Sequence, residues 1–424
     1  MGYSDTRVVV TGMGIITPIG KDLRSYEQAL CAGVSGISPI SQFDCQTVDP
    51  RSGEPQFSTR IAGEVCGFRP EEFLPKASRY DRASQFALCA ARMALEDAGL
   101  DIASVTPQRA GVVMGTGMGD MRMIEAGMAT LVAKGANHIG PTAIVKTLPS
   151  LLPGNVSIFF GFRGPCLGVS SACASATHAV GEAAFMLRRG EADMILAGGA
   201  EASITPLTVA SFSAMRIMSS RNDSPTAASR PFDSLRDGFV MGEGSGMLVL
   251  ETLDRARARG ARIYAEIAGY GLTSDAFHAS SMRPDSTECA RAIRLAMERA
   301  RISPDQIDYV SAHGTSTRMN DLVEAQAIKE ALGIHAKRPL VSATKSMIGH
   351  LLSAAGAAEL VAAILAIASQ AVHPTVNLEC PDPDCDLNHV RGGAARESAV
   401  DVVLKNSFGF GGQNAAIILK RWRG

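Results

Sequence analysis

Short runs of β-branched and apolar residues alternate along the whole chain with longer stretches of helical periodicity, and that alternation admits few folds. It is the pattern of βα units on a mainly parallel sheet, and it excludes all-α and all-β architectures. In the first half, strands are expected at 7–11, 110–114, 194–197 and 247–251. Helices are expected at 84–98 and 174–189, stopped by Gly99 and Gly190, each suited to a left-handed cap. The second half repeats the theme, with strands at 263–271, 309–312, 402–404 and 415–419 and helices at 287–300, 321–332 and 353–368. The opening strands VVVTGMG at Val8 and AEIAGYG at Ala265 point to an ancient duplication, with halves 1–255 and 256–424. The boundary would fall in the basic run around residue 255, as a linker or as a short charged helix.

Composition narrows the function. The 41 Lys and Arg offset the 42 Asp and Glu, so recognition of nucleic acid through bulk charge is not expected. Nine scattered cysteines fit reduced thiols in a cytoplasmic protein without disulfides. The amino terminus has no secretory pattern, and its loose myristoylation match through Gly2 and Thr6 reads as coincidence. The most apolar helix, 353–368, is interrupted by Glu359 and reads as a core helix too short for a bilayer. No membrane partner is expected.

Several glycine clusters are decoys. Gly12-Met13-Gly14 follows a strand, but Thr17 stands where a dinucleotide loop has its third glycine, and Gly115, Gly117 and Gly119 miss it too. Cys380, Cys385 and His389 match no standard metal spacing, so no metal is expected. The segment Ser171-Ala172-Cys173 is different. It is a small-residue turn opening directly into an alanine-rich helix, where unpaired N–H groups and the helix dipole favour thiolate and can hold an oxyanion. Cys173 is therefore a candidate nucleophile or else an ordinary buried thiol, and Cys166 competes with it but opens no helix. His313 ends a strand within HGTST, the end of a parallel strand where functional residues gather. Taken alone, it could equally be a core or capping histidine. Lys345 and His350 enter an apolar helix, a costly placement unless they serve a polar cavity. The glycines around Phe410, in NSFGFGGQN, would let backbone N–H groups face a reacting centre, or merely form a turn.

Together the Cys turn, HGTST, KSMIGH and GFGG, in that order, resemble the β-ketoacyl-[acyl carrier protein] synthases, and the likeness runs nearly end to end. The resemblance implies an α/β, thiolase-like, five-layered αβαβα fold of two pseudo-duplicated halves, usually a homodimer. It implies an acyltransferase of fatty-acid biosynthesis, working without a cofactor on an acyl carrier protein. Cys173 would take the acyl chain, with the N–H groups of Cys173 and Phe410 holding the oxyanion. His313 and His350 would stabilise the enolate left when malonyl carrier protein loses carbon dioxide, and Lys345 would organise them. On the substrate side, Thr315 and Thr317 would contact the pantetheine arm, Met118 would limit the acyl pocket and Glu359 would support Lys345. Phe410 would gate acyl entry. Gln413, Ile348 and Arg318 depart from the family's usual residues. Ile348 is familiar in polyketide ketosynthases, which makes a specialised-pathway enzyme, or a noncatalytic partner subunit, the alternative. Arg318 would add a charge contact to an acidic carrier protein or its phosphate.

Overall fold

The computed structural model describes residues 6–424, so the Gly2 pattern lies outside the described residues. Ten strands join edge to edge: β1 (Val8–Ile16), β2 (Ala110–Gly115), β3 (Cys166–Val169), β4 (Met194–Glu201), β5 (Gly244–Thr252), β6 (Ala265–Ser274), β7 (Tyr309–Ser311), β8 (Leu340–Ser342), β9 (Val402–Gly409) and β10 (Gln413–Arg421). Their order is β8, β7, β9, β10, β6, β1, β5, β4, β2, β3. Divided between β6 and β1, each half reads third, second, fourth, fifth, first. In both halves the third, second and fourth strands are parallel, and the fifth runs antiparallel to its two neighbours. The sheet is thus mixed rather than mainly parallel, because five of its nine pairings are antiparallel. The physical reason is local: β9 and β10 are joined by the tight Phe410-Gly411-Gly412 turn, and only a crossover with a helix can return a strand parallel.

The longer helices are α1 (Arg82–Asp97), α2 (Met121–Lys134), α3 (Leu151–Phe160), α4 (Ser175–Arg188), α5 (Thr287–Ala300), α6 (Arg318–Leu332) and α7 (Ala355–Ser369), and all but α2 pack into the fold. α4 and α7 touch each other and fill the space between the halves; α1 and α3 cover the outer face of the first half, α5 and α6 that of the second. This is the five-layered αβαβα arrangement.

The paired glycines explain how the outer helices sit. A Cβ on Gly12 or Gly14 would lie 2.2 or 1.9 Å from the carbonyl oxygens of Ala94 or Ala90 in α1. A Cβ on Gly269 or Gly271 would lie 2.1 or 2.0 Å from those of Ala296 or Ala292 in α5. Strand and helix backbones touch in both halves, and only glycine permits it. Gly12-Met13-Gly14 is therefore a packing stripe inside β1, which continues to Ile16 with a bulge near Thr11 instead of ending there. The basic run forms a short helix, Leu253–Ala258, capped by the Thr252 hydroxyl. The span Leu352–Ser369 is, by length and composition, long enough to cross a membrane, contrary to the expectation from sequence; 89% of it is buried inside the fold, which makes it a core helix.

Candidate active site

The turns that follow β3, β7, β8 and β9 converge on one cavity of about 750 Å³, a volume ordinary for a small-molecule site. Cys173, His313, His350, Thr315, Thr317, Met118 and Phe410 all line it. Three of these turns hold a non-glycine residue in the left-handed region: Ala172 (φ +49°) before Cys173, Ser316 (φ +70°) after His313 and Leu352 (φ +49°) after His350. Such strain persists only where the surroundings over-determine it, and it gathers at working sites.

Cys173 ends the turn that launches α4. Ser175 Oγ accepts from the Ser171 N–H at 2.9 Å, and Ser171 Oγ lies 2.6 Å from His178 Nδ1, so the turn is tied to the first two turns of the helix. The GFGG turn reaches Cys173 because Gly409 lacks a side chain: a Cβ there would lie 2.7 Å from Ser171 O and 3.1 Å from Cys173 N. The Phe410 N–H donates to the Cys173 sulfur. The resting thiol is nonetheless not the thiolate expected from the helix dipole. Burial pushes it up to about 11, and the carboxylates of Glu359 and Glu201 add to this against the opposing pull of Lys345 and the Phe410 N–H. Cys166 is exposed on edge strand β3 and does not line the cavity.

The two histidines are chemically alike. Lys345 Nζ lies 3.2 Å from His313 Nδ1, and the Leu352 N–H lies 3.1 Å from His350 Nδ1. An ammonium and an amide can only donate, so each Nδ1 accepts and each ring proton sits on Nε2. Burial, then the nearby Lys345 ammonium, drives both imidazoles well below their ordinary range, so both are neutral. The rings stand 5.4 Å apart and nearly perpendicular. The result is a pair of neutral Nε2–H donors in the cavity that holds the thiol.

Lys345 and Glu359 lie behind this pair rather than in the cavity lining. Lys345 Nζ bonds the His313 carbonyl at 2.6 Å and also Glu359 Oε1. Glu359 therefore holds the lysine from the buried helix α7 and does not contact substrate space. Thr315 and Thr317 share a hydroxyl bond of 2.9 Å, and Thr317 also caps α6. Phe410 is 37% exposed at the edge of the cavity. Met118 is partly buried in the apolar cluster that includes Phe212, Ile217 and Phe239.

These motifs can be set beside known proteins. Profiles described as "Beta-ketoacyl synthase, N-terminal domain" and "Beta-ketoacyl synthase, C-terminal domain" match residues 5–256 and 264–379. The chain belongs to the beta-ketoacyl synthase family. A 3-oxoacyl-[acyl-carrier-protein] synthase 2 of Synechocystis is 45% identical over 98% of this chain and 98% of the relative, and one of Vibrio cholerae is 43% identical over 99% and 100%. Among solved structures, a type II PKS ketosynthase with its acyl-carrier protein, bound to the hexaketide, superposes with a TM-score of 0.90 at 36% identity, covering 99% of this chain and all of that one. A beta-ketoacyl synthase from Burkholderia phymatum gives 0.90 at 37%, with the same coverage.

This member of the family also carries polar groups that sequence reasoning missed. Glu324, in α6, accepts the His313 and Gly314 N–H groups at 2.8 and 2.7 Å and so fixes the HGTST turn; burial raises its carboxyl to about 7. Three residues before it, Asp321 accepts from Phe232 N at 2.8 Å and faces Arg236 at 3.6 Å. Arg236 in turn holds the carbonyls of Thr317 and Arg318 at the cavity mouth. Glu201 accepts from Gly117 N, Ser203 and Ser353, bracing the cavity wall beside Met118. Lys405, in β9, is fully buried, 2.8 Å from Glu359 Oε2. Asp321 and Glu324 are spaced i, i+3 and share a helix face, a signal that was readable. Lys405 opens the polar run Lys405-Asn406-Ser407 within β9, and nothing local marks it as buried.

Proposed function

We propose that this chain is an elongating β-ketoacyl-[acyl carrier protein] synthase of fatty-acid biosynthesis, an acyltransferase that lengthens a Cys-bound acyl chain by two carbons. The observation that carries the reading is the pair of neutral Nε2–H imidazoles sharing a cavity with a thiol at a helix start. In the first step the Cys173 sulfur attacks the acyl thioester; the Cys173 and Phe410 N–H groups hold the oxyanion, and the thiol proton leaves with the departing pantetheine thiol. In the second step the malonyl C–C bond breaks and carbon dioxide departs. The electron pair moves onto the thioester oxygen, held by Nε2–H of His313 and His350. Neutral donors suit this step because they stabilise the enolate without protonating its carbon. The enolate carbon then attacks the acyl carbon, the C–S bond to Cys173 breaks, and the released thiolate takes up a proton.

The acidic carrier protein is read as the partner at the cavity mouth, where Arg216 and Arg318 are exposed and have no ion-pair partner among the described residues. Thr315 and Thr317 would meet the pantetheine arm and Met118 the acyl tail. The oligomer is read as a homodimer formed on edge strand β3. Its residues Cys166, Leu167 and Gly168 are exposed, and α2, in the same half, has no buried residue, with Met128 and Val132 56% and 80% exposed. A twofold axis pairs two identical edge strands antiparallel and covers such a patch. Nine free thiols support a cytoplasmic setting. The buried Ile348 and the polyketide ketosynthase superposition favour one second reading, a specialised polyketide pathway.

The test is mass spectrometry after mixing the protein with acyl carrier proteins of graded chain length and then malonyl carrier protein. One acyl adduct that requires Cys173, and a product two carbons longer, are expected. Several successive additions on one chain would favour the polyketide reading. No adduct with any acyl chain would overturn catalysis by this chain.

A further inference from the structure

The buried lysine of β9 has no part in the mechanism above, yet it stands one carboxylate away from the reacting groups. Lys405 is fully buried, and its Nζ lies 2.8 Å from Glu359 Oε2, 3.1 Å from Ser407 Oγ and against the Asn406 carbonyl. The other oxygen of Glu359 holds Lys345, which holds His313 through both its ring nitrogen and its carbonyl. A row therefore runs Lys405, Glu359, Lys345, His313, entirely inside the protein. One carboxylate sits between two ammonium groups, and burial lowers the ionisation of Lys405 against the pull of Glu359 that keeps it charged.

A lysine carries a large desolvation cost in such a place, and apolar residues would fill a β-strand core more cheaply. The arrangement makes chemical sense as charge placement. With Lys405 present, Glu359 is neutralised twice, so the Lys345 ammonium is not cancelled and keeps its field on His313 and His350. Both histidines feel Lys405 itself as well as Lys345. The surplus positive charge lies on the side of the cavity where the enolate oxygen forms. Glu324, from α6, faces the same cluster and accepts from Asn406 Nδ2 at 3.3 Å; burial raises its carboxyl to about 7.

We propose that Lys405 is a positioning residue for the decarboxylation step: by occupying the second oxygen of Glu359 it leaves the Lys345 charge free to act on the two histidines. The inference rests on the ketosynthase reading. It separates the two half-reactions in degree, because Cys173 is held by a different turn, takes its oxyanion donors from Phe410 and itself, and feels Lys345 and Glu359 with opposite signs. Removing the Lys405 charge should weaken enolate stabilisation and spare acyl transfer.

The experiment compares the wild type with Lys405→Met, which keeps length and loses charge, in two assays: the rate of acyl transfer to Cys173, and carbon dioxide release from malonyl carrier protein. Carbon dioxide release is expected to fall by about tenfold or more, acyl transfer to change by less than about twofold, and added methylammonium to restore part of the lost rate in the variant alone. Where Lys405→Met does not fold, Lys405→Gln, which keeps a polar end beside Glu359 and loses the charge, carries the same comparison. Equal loss of both half-reactions without rescue, or no loss in either, overturns the inference. A wild type inactive in both assays overturns the ketosynthase reading instead.

Discussion

The third strands of the two halves, β3 and β8, occupy the same place at opposite ends of the sheet, yet only one is covered. Val341 in β8 exchanges backbone hydrogen bonds with Asn388 and Val390 at 2.9 Å, and all three residues of β8 are buried. β3 pairs with β2 on one side and leaves its other edge open, with Leu167 43% exposed. The chemistry is divided in the same way. The β3 turn supplies a thiol beside a helix start, whereas the β7 and β8 turns supply histidines backed by a buried row of charges. Two copies of one topology thus differ in what they bury: one presents a thiol and an open edge, and the other is closed around a charged core. What the fold repeats is strand order and glycine packing; what differs is where polar groups are buried.

The comparison can be broken most forcefully in the second half. His313→Ala should lower carbon dioxide release from malonyl carrier protein by roughly 10²–10³-fold, since it removes one of two preorganised donors. Acyl transfer to Cys173, read by intact mass, should survive. Glu324 offers the next largest effect. Burial raises its carboxyl from the ordinary 4.5 to about 7, so the folded state holds the proton more tightly than the unfolded chain. That contribution to stability is complete below pH 4.5 and is lost as pH rises through 7. Relative to Glu324→Gln, the wild type should therefore lose roughly 3 kcal/mol across that window, measured by urea unfolding at several pH values. His313 and His350, whose ionisation is depressed, contribute in the opposite sense: their part of the stability is present above about pH 6.5 and falls as the solution is acidified.

The open edge of the first half sharpens the comparison. Leu167→Arg places a charge on the β3 edge and should weaken self-association at least about tenfold in sedimentation equilibrium, while the equivalent strand β8 gives no such route to a dimer. The smallest effect belongs to the cavity mouth. Arg318→Ala should raise the KM for carrier protein only about two- to fivefold and flatten its salt dependence, as for a rim charge. An unchanged KM and salt response would remove Arg318 from the docking surface.

The sequence made the alternation of elements, the two glycine-bearing opening strands and the order of the four motif segments readable, because each is a local or repeated pattern. It did not reveal the mixed sheet, since strand direction depends on which partners meet and not on periodicity. The expected strand 7–11 stops short of Gly12 and Gly14, because what those glycines serve in β1 is the approach of α1, far along the chain. The turn locates Cys173 but not its protonation: helix dipole and burial oppose each other there, and the thiol also feels charges distant in sequence such as Glu201 and Glu359. Lys405 and Glu201 escaped for the same reason, since a buried charge is recognised only with its partners in place.

The division of labour between the halves is tested most directly by carbon dioxide release from malonyl carrier protein in Cys173→Ala. Continued release, with acyl transfer abolished, is the expected result. Loss of both activities together, in a variant that still unfolds cooperatively at the wild-type temperature, would contradict it.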